Sequence, residues 1–411
     1  MARFLTTLAI SFAFLTDLFL QIRGEAKFVQ LGSYNLRPED ITVVALVFAL
    51  VSRVDVGRFG LPRVLLSLVL LLAAFNLLRG VSQNAFAALF DFRSTAVLLF
   101  FLAVIFARWG TLRPLEYLGF PMVSASIVHI LLFGIRLVEP HAFSDPNSEF
   151  VDDLMEGRII NAGTAIFLGA AAAFFLSQGS RTSLNGFRRV AFWALAGICL
   201  VVVLMSRQRT ATTGVIVGLS VFFVLHPTML GVKRAPRLLV AIVASALLIL
   251  VVATGNVLDL LPSEYRDSAL ERRTLDFRLE VWTEALKAYS QWDFWWQAFG
   301  RPIGVPLILQ LEHVEWRYSV HSTYVGTLMS YGIVGALLWA TLLLLALFAA
   351  LRPRHGRAKF DLEPAVAVCW LVIYFIYGYS YEWRNGVGVF IGMALIPLIR
   401  YNDTAVRDNE T

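Results

Sequence analysis

Three short segments of this 411-residue chain carry side chains suited to gripping an anion and moving a proton. Ser206-Arg207-Gln208-Arg209-Thr210 sets two guanidinium groups close together in a tight hairpin, and Arg278 stands in Arg278-Leu279-Glu280-Val281-Trp282-Thr283-Glu284-Ala285. A further arginine, Arg384, lies in Tyr381-Glu382-Trp383-Arg384-Asn385. A guanidinium cannot be deprotonated in a protein, and its planar fork grips phosphate at two points. The ligand such residues select is anionic. His321, in His321-Ser322-Thr323-Tyr324, is the best candidate for proton chemistry. Histidine is the one side chain whose unperturbed pKa lies near neutrality, which suits a general base.

Each reading has a plainer counterpart. Arg207 and Arg209 can snorkel to lipid phosphates, Arg278 can close a salt bridge within its loop, and Glu382 can neutralise Arg384. His321 can be a helix cap or interface residue; His313 is a weaker base, and His129 reads as a packing residue. The chain has no HExxH, P-loop, GxSxG or Asp-x-Asp motif. Glu39-Asp40 and Asp152-Asp153 read as solvated carboxylates. No metal, cofactor or nucleic-acid partner is expected.

The elements that must position these groups follow from composition. The chain is 58% hydrophobic and 16% charged, with a mean hydropathy of +0.70. At about 20 apolar residues per span there is room for roughly a dozen crossings. One soluble core of that size is implausible, because cores beyond ~250–300 residues split into domains and no polar linker marks a split. A soluble enzyme, a disordered tail and a disulfide scaffold are excluded. Cys199 and Cys369 both lie in apolar runs, so neither a disulfide nor a CxxC site is expected.

Apolar runs fall at 4–22, 40–54, 62–79, 86–107, 115–138, 159–177, 189–206, 210–227, 237–255, 321–350, 363–381 and 386–400. The fold predicted is all-α: a single polytopic membrane domain over 1–411 with about 12 transmembrane helices. A long, partly helical extracytoplasmic loop, 256–320, joins helices 9 and 10. The first run lacks a cleavage site and is read as a retained span.

Loops after even-numbered runs carry Arg53, Arg58, Arg63; Arg108, Arg113; Arg181, Arg188, Arg189; Lys233, Arg234, Arg237; and Arg352, Arg354, Arg357, Lys359. Short cytoplasmic loops are rich in Lys and Arg, so both termini are placed in the cytoplasm. The connection 139–158 is acidic and faces outward. Arg207, Arg209, Arg278 and Arg384 are then positive charges on the wrong side, and His321 opens its span at the outer surface. In the long loop, Leu275, Leu279, Trp282, Leu286 and Tyr289 form the stripe of an amphipathic helix. Trp292, Phe294, Trp295, Trp296 and Phe299 follow it, as an aromatic belt at the membrane interface or as faces for stacking sugar rings.

Taken in order, the Ser206-Arg207 hairpin, the Arg278…Trp282…Ala285 segment and His321-Ser322-Thr323-Tyr324 with Leu328, Gly332 and Gly335 resemble the O-antigen ligase and polymerase family of bacterial envelope glycan enzymes, exopolysaccharide polymerases included. The resembling region is 190–345. Two positions depart from the family pattern: Ser322 stands where Asn is frequent, and Gly300-Arg301-Pro302-Ile303-Gly304 is a loose glycine stretch.

The resemblance implies a glycosyltransferase of the inner membrane with its site facing the periplasm. Its donor would be an oligosaccharide on a polyprenyl diphosphate, and its acceptor a hydroxyl of a glycan or lipid. Membrane lipids would surround it, and a chain-length regulator or a flippase are candidate partners. His321, Arg207 and Arg278 would be catalytic; Arg209, Arg384, Trp282 and Tyr324 would bind substrate, with no metal. A repeat-unit polymerase is favoured over a ligase, because nothing marks a dedicated lipid-core site. The alternatives are a polysaccharide or lipid-linked sugar transporter or flippase, and a non-catalytic scaffold.

Overall fold

The protein is described by a computed structural model covering residues 2–23, 29–31, 34–36, 38–51, 61–107, 114–139, 160–181, 183–206, 208–226, 268–311, 315–316, 320–351, 363–381 and 387–394. The apolar runs within this set are helical. They form α1 (Ala2–Arg23), α2 (Pro38–Val51), α3 (Leu61–Ala107), α4 (Pro114–Val138), α5 (Ala162–Gly179), α6 (Gly186–Met205) and α7 (Arg209–Leu225). After the long loop come α10 (Thr323–Leu351), α11 (Pro364–Ser380) and α12 (387–394). The ninth run, 237–255, lies outside the described residues, as does the acidic connection beyond Glu139.

Among the described residues five helices are long and apolar enough to cross a bilayer, and α1, α7 and α11 add shorter apolar segments. The chain is a multi-pass membrane protein. The third and fourth runs join into the single element α3, broken only at Asn84 (φ −152°, ψ 95°). The Asn84 Oδ1 accepts from Ala87 N at 3.1 Å and caps the second half.

The described residues are mostly helical, and two short hairpins accompany the helices. Val29–Leu31 (β1) pairs antiparallel with Tyr34–Leu36 (β2), and Leu309–Gln310 (β3) with Glu315–Trp316 (β4). The Gly32-Ser33 dipeptide between β1 and β2 favours a tight hairpin.

The core sits around α5, which is buried along nearly its whole length. Its Ala170–Ala173 run presents no bulk, and Trp370 Nε1 on α11 donates to Ala170 O at 2.8 Å. Between helices in lipid, close packing rather than hydrophobicity drives association. The approach of α7 to α11 shows this: a Cβ on Gly218 would meet Ile373 Cγ1 at 2.5 Å and Cys369 O at 3.0 Å. The Phe390 ring of α12 stacks on Phe14 of α1 at 5.1 Å and meets Trp370 edge-on at 4.7 Å. His129 is buried, with Nε2 against Phe14 O at 3.0 Å. Cys199 and Cys369 are free and buried.

The long loop is a packed unit. Its α8 (Ser268–Ser290) and α9 (Phe294–Phe299) are tied by Gln297, whose Nε2 donates to the carbonyls of Tyr289, Ser290 and Trp292. A small core of Val281, Trp282, Ala285, Leu307, Leu309, Leu311, Val320 and Met329 fills it. The loop docks where α10 breaks at Gly332 (φ 64°, ψ −170°). Fully buried Asn76 of α3 donates through Nδ2 to Phe299 O at 2.6 Å and Ser330 O at 3.0 Å. Arg79 Nη1 donates to Asn76 Oδ1 and to Gly300 O, each at 2.9 Å.

Asn76→Ala would leave two carbonyls without this partner, a loss of about 1–3 kcal/mol for the buried group. The expected result is a lower melting temperature in detergent and faster proteolysis within 294–305. Scanning fluorimetry and limited digestion measure the two effects.

Candidate active site

Arg278, His321 and the 206–210 hairpin come from three distant parts of the chain, and the end of α11 brings them together. Tyr381 caps that helix, its N–H bound to Tyr377 O at 3.0 Å. The backbone there turns extended (φ −142°, ψ 156°), which carries the ring out of the helical path. The ring stacks on Tyr377 at 4.9 Å and 13°. The Arg278 guanidinium lies over it, 4.9 Å from the ring centre, within cation–π range. The Tyr381 hydroxyl lies 3.4 Å from Gln208 Oε1, and Thr210 Oγ1 lies 3.4 Å from Ser380 Oγ.

The residues on either side of Arg207 are anchored. Ser206 closes α6 with Oγ donating to Val203 O at 2.6 Å. Gln208 occupies the cap position of α7 but makes no capping bond with its side chain. Its Nε2 donates to Ile160 O at 3.0 Å instead, just ahead of α5. The positive end of the α7 dipole therefore opens at the hairpin, where it favours negative charge.

His321 is held from both sides. On one side Trp282 Nε1 donates to Val320 O at 2.7 Å. On the other, Thr323 donates to Tyr381 O through its N–H at 3.1 Å and its Oγ1 at 2.9 Å. Between these anchors His321 adopts a left-handed backbone, φ 49°. For a residue other than glycine this is uncommon, although histidine is among the types enriched there. Such strain persists where the surroundings over-determine it, and it clusters at functional sites. Ser322, the departure from the family pattern, is buried with Oγ 3.4 Å from Gly378 O.

Trp282 is buried, edge-on to Tyr379 at 4.9 Å, and its Nε1 holds the Val320 carbonyl beside His321. Tyr324 keeps an exposed ring but donates its hydroxyl to Phe375 O at 2.6 Å. Arg207 and Arg384 lie outside the described residues; Arg209 opens α7, with its side chain likewise outside them. In the aromatic segment, Phe294 and Trp295 are exposed.

Sequence reasoning missed Gln208, Tyr381 and Thr323, which carry no charge and stand out in no pattern. It also passed over Arg136, fully buried in the last turn of α4. A charge inside an apolar run was itself the signal.

Residues 190–340 match the family model described as O-antigen ligase. No curated protein matches the chain. The matched stretch holds the hairpin, Arg278 and His321, while Tyr381 lies beyond it. Over that stretch the chain is similar to the O-antigen ligase family.

Proposed function

We propose that the protein transfers an oligosaccharide from a polyprenyl diphosphate donor to an acceptor hydroxyl at the periplasmic face of the inner membrane. The observation that carries this reading is the meeting of Arg278, the arginine hairpin and the strained His321 segment around one residue, Tyr381. In the reaction the acceptor oxygen bonds to the anomeric carbon as the bond from that carbon to the diphosphate breaks. His321 takes the hydroxyl proton or orients it, and the polyprenyl diphosphate leaves with the electron pair. Arg207, Arg209 and Arg278 supply counter-charge to the leaving group, with Arg384 as a further contributor. Preorganised counter-charge of this kind is usually the largest catalytic contribution. Trp282 holds the histidine, and Tyr324 offers its ring.

With guanidinium groups in that role the chemistry needs no metal. Repeat-unit polymerase is the favoured form, with a growing lipid-linked chain as acceptor and a chain-length regulator or flippase as partner. The family match gives the transporter reading no support.

Purified protein in nanodiscs is expected to build a ladder of products from one lipid-linked repeat unit alone, unchanged by EDTA. Transfer that starts only when a finished lipid core is added would make it a ligase. Full activity in Arg207→Ala, Arg209→Ala and His321→Ala together would overturn the site.

A further inference from the structure

We propose that Tyr381 is a positioning residue that makes the diphosphate grip a single unit, its ring setting Arg278 and its hydroxyl setting the hairpin that carries Arg207 and Arg209. The inference rests on the site reading above and adds a residue outside the family-matched stretch, which ends at 340.

The two sets of arginines belong to different elements. Arg278 rides on α8, a helix of the loop unit, whereas Arg207 and Arg209 flank Gln208 between α6 and α7. A leaving diphosphate has two phosphoryl groups, and both need counter-charge in the same transition state. Small misplacements of positioned groups cost a large part of the rate, so the spacing between the two carriers has to be fixed. Tyr381 is the residue the structure places against both. Its ring lies under the Arg278 guanidinium, and its hydroxyl is within hydrogen-bond reach of Gln208 Oε1.

Tyr381 is in turn fixed by its own neighbours. Tyr377 stacks on the ring, the Tyr381 N–H is bound to Tyr377 O, and the Tyr381 carbonyl takes two bonds from Thr323. Gln208 is also anchored, by Ile160 O. A residue that only filled space would need neither the hydroxyl at Gln208 nor the ring face beneath a cation. The same carbonyl ties the grip to the His321 segment, since Thr323 stands two residues after the histidine.

The full-length protein in nanodiscs tests this with farnesyl diphosphate as the probe, its Kd read by calorimetry beside the melting temperature. Tyr381→Leu is expected to weaken binding about tenfold, and Tyr381→Phe, which keeps the ring, about threefold. Farnesyl monophosphate, which needs only one carrier, is expected to respond less to either change. In an Arg278→Ala background Tyr381→Leu is expected to cost only the roughly threefold share of the lost hydroxyl, because the ring acts through the arginine.

A full, roughly tenfold further loss from Tyr381→Leu in the Arg278→Ala background would overturn the proposal, as would unchanged diphosphate binding in Tyr381→Leu alone. Should that variant fail to fold, Tyr381→Phe with Gln208→Leu replaces it, and independent losses there overturn the hydroxyl link. Unchanged binding in Arg278→Ala would instead sink the diphosphate reading of the whole site, and this inference with it.

Discussion

Arg278→Ala is expected to lower turnover of a lipid-linked donor by about 100- to 1,000-fold, the scale seen when one preorganised donor to a developing charge is removed. The protein should stay folded. Arg278 is partly exposed on α8, and its described contact is the face of Tyr381, so the fold loses only a cation–π contact worth about 0.5–2 kcal/mol. An in-helix salt bridge is the competing role, but the residues three and four positions away are Thr274, Leu275, Val281 and Trp282, and none of them carries a charge. Arg278→Lys separates charge from geometry. Lysine keeps the positive charge but loses the fork and the planar stack on tyrosine, so a loss of about tenfold is expected, between wild type and alanine. Steady-state chain growth in nanodiscs, with thermal unfolding as a control, measures both variants. Turnover within threefold of wild type in Arg278→Ala would mean that the counter-charge comes from elsewhere, an outcome the size of the expected effect makes easy to see.

What could be read beforehand divides by physical kind. Apolar runs are long-range and redundant, so most of the described helices could be placed within a few residues, and Arg207, Arg209 and Arg278 stood out because they break the loop-charge pattern. Tertiary partners of uncharged residues leave no such trace. Gln208 and Tyr381 have ordinary types for a helix end, and only the fold brings them within 3.4 Å. The same limit explains α3. The polar stretch between its halves reads as a loop, yet a single extended residue, Asn84, makes the turn. Strands of two or three residues are too short for any periodicity to register. Trp282 is instructive in another way. Its place on the amphipathic stripe was legible, but whether its ring is covered or open depends on β3, Val320 and Tyr379 packing over it.

The break in α10 is the structural feature most exposed to a single change, and Gly332→Ala is expected to destabilise the protein by about 3 kcal/mol or more. Two independent penalties add there. The backbone at φ 64° and ψ −170° belongs to a region that essentially only glycine occupies. A Cβ would also lie 2.4 Å from the carbonyl carbon and oxygen of Ala298 and 2.6 Å from Gln297 O, all of them backbone atoms of α9 that cannot rotate away. Gly300 faces the same junction from the other side at φ 82°, so the helix and the loop meet glycine against glycine. Displacing α9 would pull on the bonds from Asn76 to Phe299 O and Ser330 O, and on Arg301 N to Met329 O. Met329 packs in the same small core as Trp282 and Val320, which hold His321. Activity should therefore fall together with stability, although Gly332 is given no contact with substrate. Gly197→Ala is the control, because nothing lies within 4 Å of its Cβ position in the middle of α6. That change is expected to be neutral or stabilising by up to about 1 kcal/mol. If the two variants melted at the same temperature, the junction between α9 and α10 would not be what holds the loop over the site.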